Sequence, residues 1–297
     1  MKDPVESNLQ AASTPRAMAR RRLYQHKGFI IGAVGLAIVL GMALFAPLLA
    51  PYDPYEQVLT RRLIPPFWHD DGTWLFPLGT DHLGRDYLSR ILYGARVSLA
   101  IGFVATIISA VIGGTLGMAA GYFGGRVDMV VLFMLSTRLS MPVVLVALSV
   151  VALVGGSLTV VISVLGCLLW DRFTVVLRAV TMRERLLDYV SAAKAIGCTD
   201  FRIIAREIFP NVFPAFVVIA TLEMANAILL EAALSFLGLG VQPPLPSWGL
   251  MIAEAKEQMY FSPWIIAIPG CALFALVLSI NLFGDGLRDV LSPEGRN

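Results

Sequence analysis

An all-α polytopic membrane protein with six transmembrane helices is the fold class the sequence predicts, on three observations. Of its 297 residues 57% are hydrophobic and only 15% charged, and the mean hydropathy is +0.74, outside the range of soluble domains. The apolar residues gather into runs of roughly 20, the length of helix that crosses about 30 Å of hydrocarbon. The basic residues gather between alternate runs, as positive-inside bias requires.

Each element follows in order. Residues 28–50 come after Arg20, Arg21 and Arg22 and exceed the about 15 residues of a signal-peptide core, so they read as an uncleaved first span behind a cytoplasmic tail, 1–27. An extracytoplasmic loop, 51–96, carries Pro65, Pro66, Trp68 and Trp74, a composition suited to irregular chain lying against headgroups. The membrane domain is expected over 97–285. Its spans are expected at about 97–121, then 127–154 with a kink at Pro142, then 158–178, interrupted by Asp171 and Arg172, then 212–234 and 264–283. Gly155 and Gly156 make the turn before the fourth span. Between the last two, Gly238, Gly240, Pro243, Pro244 and Pro246 exclude a long helix ahead of Trp248, and 249–259 can form a short interfacial helix. With Arg172 and Arg178, in the interrupted part of the fourth span, counted on the inner side, sixteen of the 23 Lys and Arg residues fall on one side and six on the other, which places both termini, including the tail 286–297, in the cytoplasm of a cell inner membrane protein.

Several function classes are excluded. A net charge of +2 gives no basic stripe for nucleic acid. Cys167, Cys198 and Cys271 match neither a disulfide framework nor a zinc site, and His26, His69 and His82 have no metal-ligand spacing, so no metal is expected. No catalytic residue is expected either: Ser109, Ser136, Ser149 and Ser163 have no His at membrane depth to activate them. No GxxxxGK[ST] run occurs, so the chain has no phosphate-cradling loop of its own. A secondary transporter stays open, separable by whether uptake survives ATP depletion.

The loop 183–211 is the most informative stretch. Tyr189, Ala192, Ala193, Ile196 and Gly197 recur at helical spacing and give one face, small in its middle and apolar at its ends. Gly197 is a helix stop, Thr199 or Asp200 can cap a second short helix through Phe201, Ile203, Ile204 and Ile208, and Pro210 is expected to end it. A face with almost no side chain lets backbone approach backbone, so the helix can sit deep in a partner's groove. The bland alternative is a helix resting on the bilayer.

The run Tyr189-Val190-Ser191-Ala192-Ala193-Lys194-Ala195-Ile196-Gly197, with Ile208-Phe209-Pro210-Asn211 after it, resembles the EAA loop of bacterial ABC importer permeases, the coupling helix that docks on the ATPase subunit. Ser191 stands where that family usually has Glu, and Glu207 falls near a common His. The segments from Leu78 to Asp86 and on to Leu99, from Leu234 to Gly249, and from Asn281 to Asp289 resemble the C-type permease of dipeptide, oligopeptide and nickel importers. The resemblance implies a type I ABC importer permease fold and a role in forming, with a B-type permease, the path for di- or oligopeptides. It further implies two ATPase subunits that hold ATP and Mg, and an extracytoplasmic solute-binding protein. No cofactor is expected in this chain, whose other partner is membrane lipid. The coupling residues implied are Tyr189, Ser191, Ala192, Ala193, Ile196, Gly197, Asp200 and Glu207. The cargo is left open among dipeptide, oligopeptide, nickel chelate, glutathione and opine.

Arg138, Glu223 and Glu231 are charges within apolar runs, where each must face protein or water. Arg138 and Glu231 are candidates to border the translocation path, with a structural ion pair between helices as the alternative. Asp81, Arg85 and Asp86 are candidates to meet the binding protein, or else caps and turn formers. The series Gly113, Gly114, Gly117, Gly121, Gly124 and Gly125 reads as a helix-packing device in preference to a substrate-lined face.

Overall fold

A computed structural model describes residues 27–291, with side chains described to Asp289; the tail of the first 26 residues and that after Leu291 lie outside the described residues. The described chain is helical apart from its connections, the longest of them residues 50–86, and five helices are long and apolar enough to cross a membrane, or six if one bent pair counts as a span.

The first helix, α1 (Lys27–Leu44), leaves Ile31, Val34 and Ile38 exposed and lays its other side on the last helix, α12 (Trp264–Leu291). Gly32 makes that contact possible, because a Cβ there would lie 2.7 Å from the carbonyl oxygen of Ser279. The rings of Phe29 and Phe283 stack at 5.1 Å alongside. A short α2 (Ala46–Leu49) follows.

The long helix α3 (Tyr87–Phe123) starts ten residues ahead of the expected boundary at 97. Asp86 caps it, accepting from the Ser89 N–H at 2.7 Å, and Arg90 in its first turn is buried and neutralised. Its Gly113, Gly117 and Gly121 lie on α7 (Asp171–Glu184); a Cβ on Gly117 or Gly121 would come within 2.7 Å of the carbonyl oxygen of Thr174 or Arg178. Gly113, Gly117 and Gly121 thus form a packing seam, whereas Gly124 and Gly125, at φ +64° and +51°, make the turn into the next helix.

The expected third span is two helices, α4 (Gly125–Leu139) and α5 (Val143–Val154), bent 80° at the break before Pro142. The break is sharper than a proline kink because the residue before proline is driven out of the helical region. The expected fourth span is likewise two helices, α6 (Leu158–Leu168) and α7, which reach Glu184 instead of 178.

After α7 come α8 (Asp188–Ala195) and Gly197 at φ +81°, then α9 (Asp200–Arg202), whose cap Thr199 accepts from the Arg202 N–H at 3.4 Å. A π-helical turn, Ile203–Ile208, runs directly into α10 (Phe209–Phe236). Pro210 therefore does not end a helix. It occupies the first turn of one, where its missing N–H has no partner to lose. The last short helix, α11 (Trp248–Ala255), stops four residues before the expected 259. Trp248 is fully buried, its indole N–H donating to the Ile91 carbonyl at 3.0 Å and its backbone N–H to the Ser98 hydroxyl at 3.1 Å.

Candidate functional site

The loop between α7 and α10 forms a compact knob at one end of the bundle. Val190 and Ala193 point inward from α8 and pack with Tyr122, Leu177, Ile203, Ile208 and Val212 in a small apolar core. Ser191, Ala192, Ala195, Ile196 and Gly197 point outward. The single docking face expected from spacing is thereby divided, and Ala193 belongs to the inward side. What is left outside is small and apolar, bordered by Ile196 at 80% exposure. Elsewhere in the same loop Phe201, at 81%, and Leu186 are exposed as well, Phe201 lining an apolar hollow with Thr115, Met118 and Ala119 of α3. Neither was among the expected docking residues; the signal available was a large apolar side chain within a charged loop.

Polar contacts fix the knob to the spans. The Tyr122 hydroxyl, at the end of α3, donates to Asp200 at 2.6 Å, so Asp200 is held within the chain. Lys194 lies 5.0 Å over the Tyr122 ring, and Arg185 donates to the Tyr122 carbonyl at 2.8 Å. Tyr189 donates from its hydroxyl to Glu184 at 3.0 Å, and burial together with that carboxylate holds the Tyr189 phenol above its usual range. Asn211 reaches both the Tyr189 hydroxyl at 3.4 Å and the Glu207 carbonyl at 2.7 Å. The side chain of Glu207 takes no part in that contact. A load on α8 therefore passes to α3, α7 and α10 through short contacts.

The opposite end is closed by charge. Arg85 donates to Asp81 at 2.6 Å and to Glu254 of α11 at 3.1 Å, and Arg90 pairs with Glu254 at 2.9 Å and with Asp81. Burial alone would raise the Asp81 carboxyl, but Arg90 and Arg85 beside it hold it below its usual range. Asp86 is buried at the α3 cap, and that burial outweighs its bond from Ser89 and raises its carboxyl. Asp81, Arg85 and Asp86 are each at most 3% exposed, so this structure does not present their side chains to a docking protein. Asp81, His82 and Glu254 lie close enough together to suggest metal ligands, yet two guanidinium groups already engage both carboxylates.

The two path candidates separate. Arg138 donates from Nε to the Leu168 carbonyl at 2.8 Å and lies 3.9 Å from Asp171, bridging α4 to the α6–α7 break. Glu231 is fully buried in α10 and accepts from Ser235 at 2.7 Å and from the α11 cap Ser247 at 2.8 Å. It holds α11 onto α10 where a Cβ on Gly249 would come within 2.6 Å of the Ala232 backbone. In this structure Glu231 is an internal support between α10 and α11, with no exposed surface to border a path.

Residues 113–296 match the family model described as "Binding-protein-dependent transport system inner membrane component", and residues 14–66 match "N-terminal TM domain of oligopeptide transport permease C". The chain is 40% identical over 273 residues to the dipeptide transport system permease protein DppC of Haemophilus influenzae, covering 91% of this chain and 92% of that one. It is 40% identical over 272 residues to the di/tripeptide transport system permease protein DppC of Pseudomonas aeruginosa, covering 92% and 90%. It is 36% identical over 291 residues to the glutathione transport system permease protein GsiD of Pectobacterium atrosepticum, covering 98% and 95%. Among solved structures, the inward-facing MetNI methionine ABC transporter superposes with a TM-score of 0.55 at 18% identity, over 67% of this chain and 95% of that one. The likeness shows the fold, that of a type I ABC importer permease.

Proposed function

We infer, because the chain belongs to the binding-protein-dependent transport system inner membrane components, that it is the permease subunit through which an ATP-driven importer passes di- or oligopeptides. The observation that carries this reading is the outward face of α8, small and apolar, presented by a knob bonded to three spans. Such a surface has no use within one chain and suits insertion into a groove of a separate ATPase subunit. The cargo class follows the relatives, whose names specify dipeptides, di- and tripeptides and glutathione.

In this reading two ATPase subunits bearing ATP and Mg grip α8, a B-type permease completes the path, and a solute-binding protein delivers cargo to the end that carries α11. Both termini lie in the cytoplasm. Closure of the ATPases carries α8 with them and rocks the spans between inward and outward openings. The test is reconstitution with those partners in liposomes. Uptake of a labelled dipeptide is expected only with ATP on the ATPase side, and uptake driven by an ion gradient without ATP would overturn the reading.

A further inference from the structure

Three spans carry a charge at mid-depth, and those charges meet. Asp171 is the middle residue of the 27-residue stretch Leu158–Glu184. Glu223 lies halfway along α10, and Arg138 closes the first half of the bent pair α4–α5. Arg138 joins the two breaks through the Leu168 carbonyl, and Arg172 joins α7 to α10, its Nη1 3.0 Å from Glu223 Oε1.

Burial separates the four. The side chains of Glu223, Arg138 and Asp171 are 1%, 12% and 15% exposed, whereas that of Arg172 is 60% exposed. The residues at the neighbouring break, Ser140, Met141 and Pro142, are exposed as well. A guanidinium at this depth is heavily penalised against hydrocarbon, and broken backbone at membrane depth persists only where protein covers it or it lines water. Two unrelated features thus turn the same junction away from lipid.

We propose that Arg172 faces the water-filled translocation path and receives the terminal carboxylate of a peptide in transit. The assignment rests on the import reading above and deepens it. A guanidinium is a planar fork matched to a carboxylate, and Glu223 engages one terminal nitrogen, leaving other N–H groups to offer. Glu223 behind Arg172 also balances its charge, so the empty path carries no strong net field and releases what it binds, as conduction requires. Every peptide has that carboxylate whatever its side chains, so a station that reads it passes many sequences.

The assembled complex in liposomes tests this in two ways. With Cys167, Cys198 and Cys271 replaced by serine, an Arg172→Cys chain is expected to react with a charged methanethiosulfonate in the nucleotide-free or the ATP-bound state, more slowly when dialanine is present. No reaction in either state would place the residue against the second permease or lipid and overturn the proposal. Arg172→Gln is expected to lower the ratio of dialanine uptake to dialanine amide uptake by about tenfold relative to the unaltered complex, the usual worth of a charge-assisted hydrogen bond, and Arg172→Lys to keep most of it. An equal effect on both cargoes, or failure of the complex to assemble with Lys as well as with Gln, would overturn the assignment alone. An unaltered complex that imports neither cargo would instead bring down the import reading, and this assignment with it.

Discussion

The two ends of the bundle handle exposed chemistry in opposite ways. At the α11 end, two arginines and two carboxylates are closed into a quartet in which only Glu254 keeps some exposure, Trp248 is sealed beneath α3, and the Tyr87 hydroxyl donates to the Ile265 carbonyl. At the α8 end most charges stay at the surface, Glu184 excepted, and Ile196, Phe201 and Leu186 are turned outward. Closing a network of charges costs desolvation and is repaid only by complete mutual pairing, which yields a rigid unit. Leaving apolar side chains exposed is the mark of a surface awaiting a partner. The difference indicates that the α11 end acts as a fixed frame and the α8 end as the handle.

Breaking the frame has the largest expected effect. Arg90→Met leaves Asp81 and Glu254 facing Arg85 alone, and an uncompensated buried charge of this kind costs about 3–5 kcal/mol. The purified chain is expected to melt well below the unaltered protein, and Arg90→Met combined with Glu254→Gln to recover part of the loss. A normal melting temperature for Arg90→Met would show that the quartet does not hold this end. The handle is expected to break without melting. Ile196→Glu puts a charge where about 1.5–3 kcal/mol of apolar burial would accrue on docking, so ATP-driven uptake should fall about tenfold or more while the melting temperature stays unchanged, Ile196 being 80% exposed.

Acid sharpens the same contrast. Asp81 is held below its usual range, so its pairing contributes stability that is complete above the unfolded value of about 3.9 and is lost as pH falls through the lower folded value. Asp86 is shifted upward by burial, and its protonation relieves a cost as pH falls. The frame is therefore expected to hold through mild acid and to loosen only below the ordinary carboxylate range. Melting temperatures measured against pH should show that late step in the unaltered chain and lose it in Asp81→Asn.

Much of the fold was legible because hydrocarbon imposes a length on each helix. What was missed depends on contacts between distant residues. The start of α3 lies behind Arg90, and only Glu254, far along the chain, explains why a charge can sit there. Pro210 and Pro142 show that one residue type signals different things by position: the first opens a helix and the second separates two. Ala192 and Ala193 are indistinguishable by composition, and only the core formed by Tyr122, Leu177 and Ile208 decides which of them points outward. Glu231 looked functional because it is charged within an apolar run. Its partners, Ser235 and Ser247, lie within its own chain, the second on a different helix.

The smallest expected effect concerns how the handle is attached. Tyr122 is buried and offers two separable contacts, its hydroxyl to Asp200 at 2.6 Å and its ring under Lys194 at 5.0 Å. Tyr122→Phe keeps the ring, its packing and the cation above it, and removes only the hydroxyl. The loss isolates a hydrogen bond to a charged acceptor, about 1.5 kcal/mol before water compensates the exposed Asp200. Hydrogen exchange at residues 199–203, the turn that Asp200 opens, should therefore quicken by about fivefold, with the spans unaffected. Should that turn exchange at an unchanged rate, α8 would be coupled to α3 through Arg185 and the apolar core alone, and the handle would be attached by packing instead of by this bond.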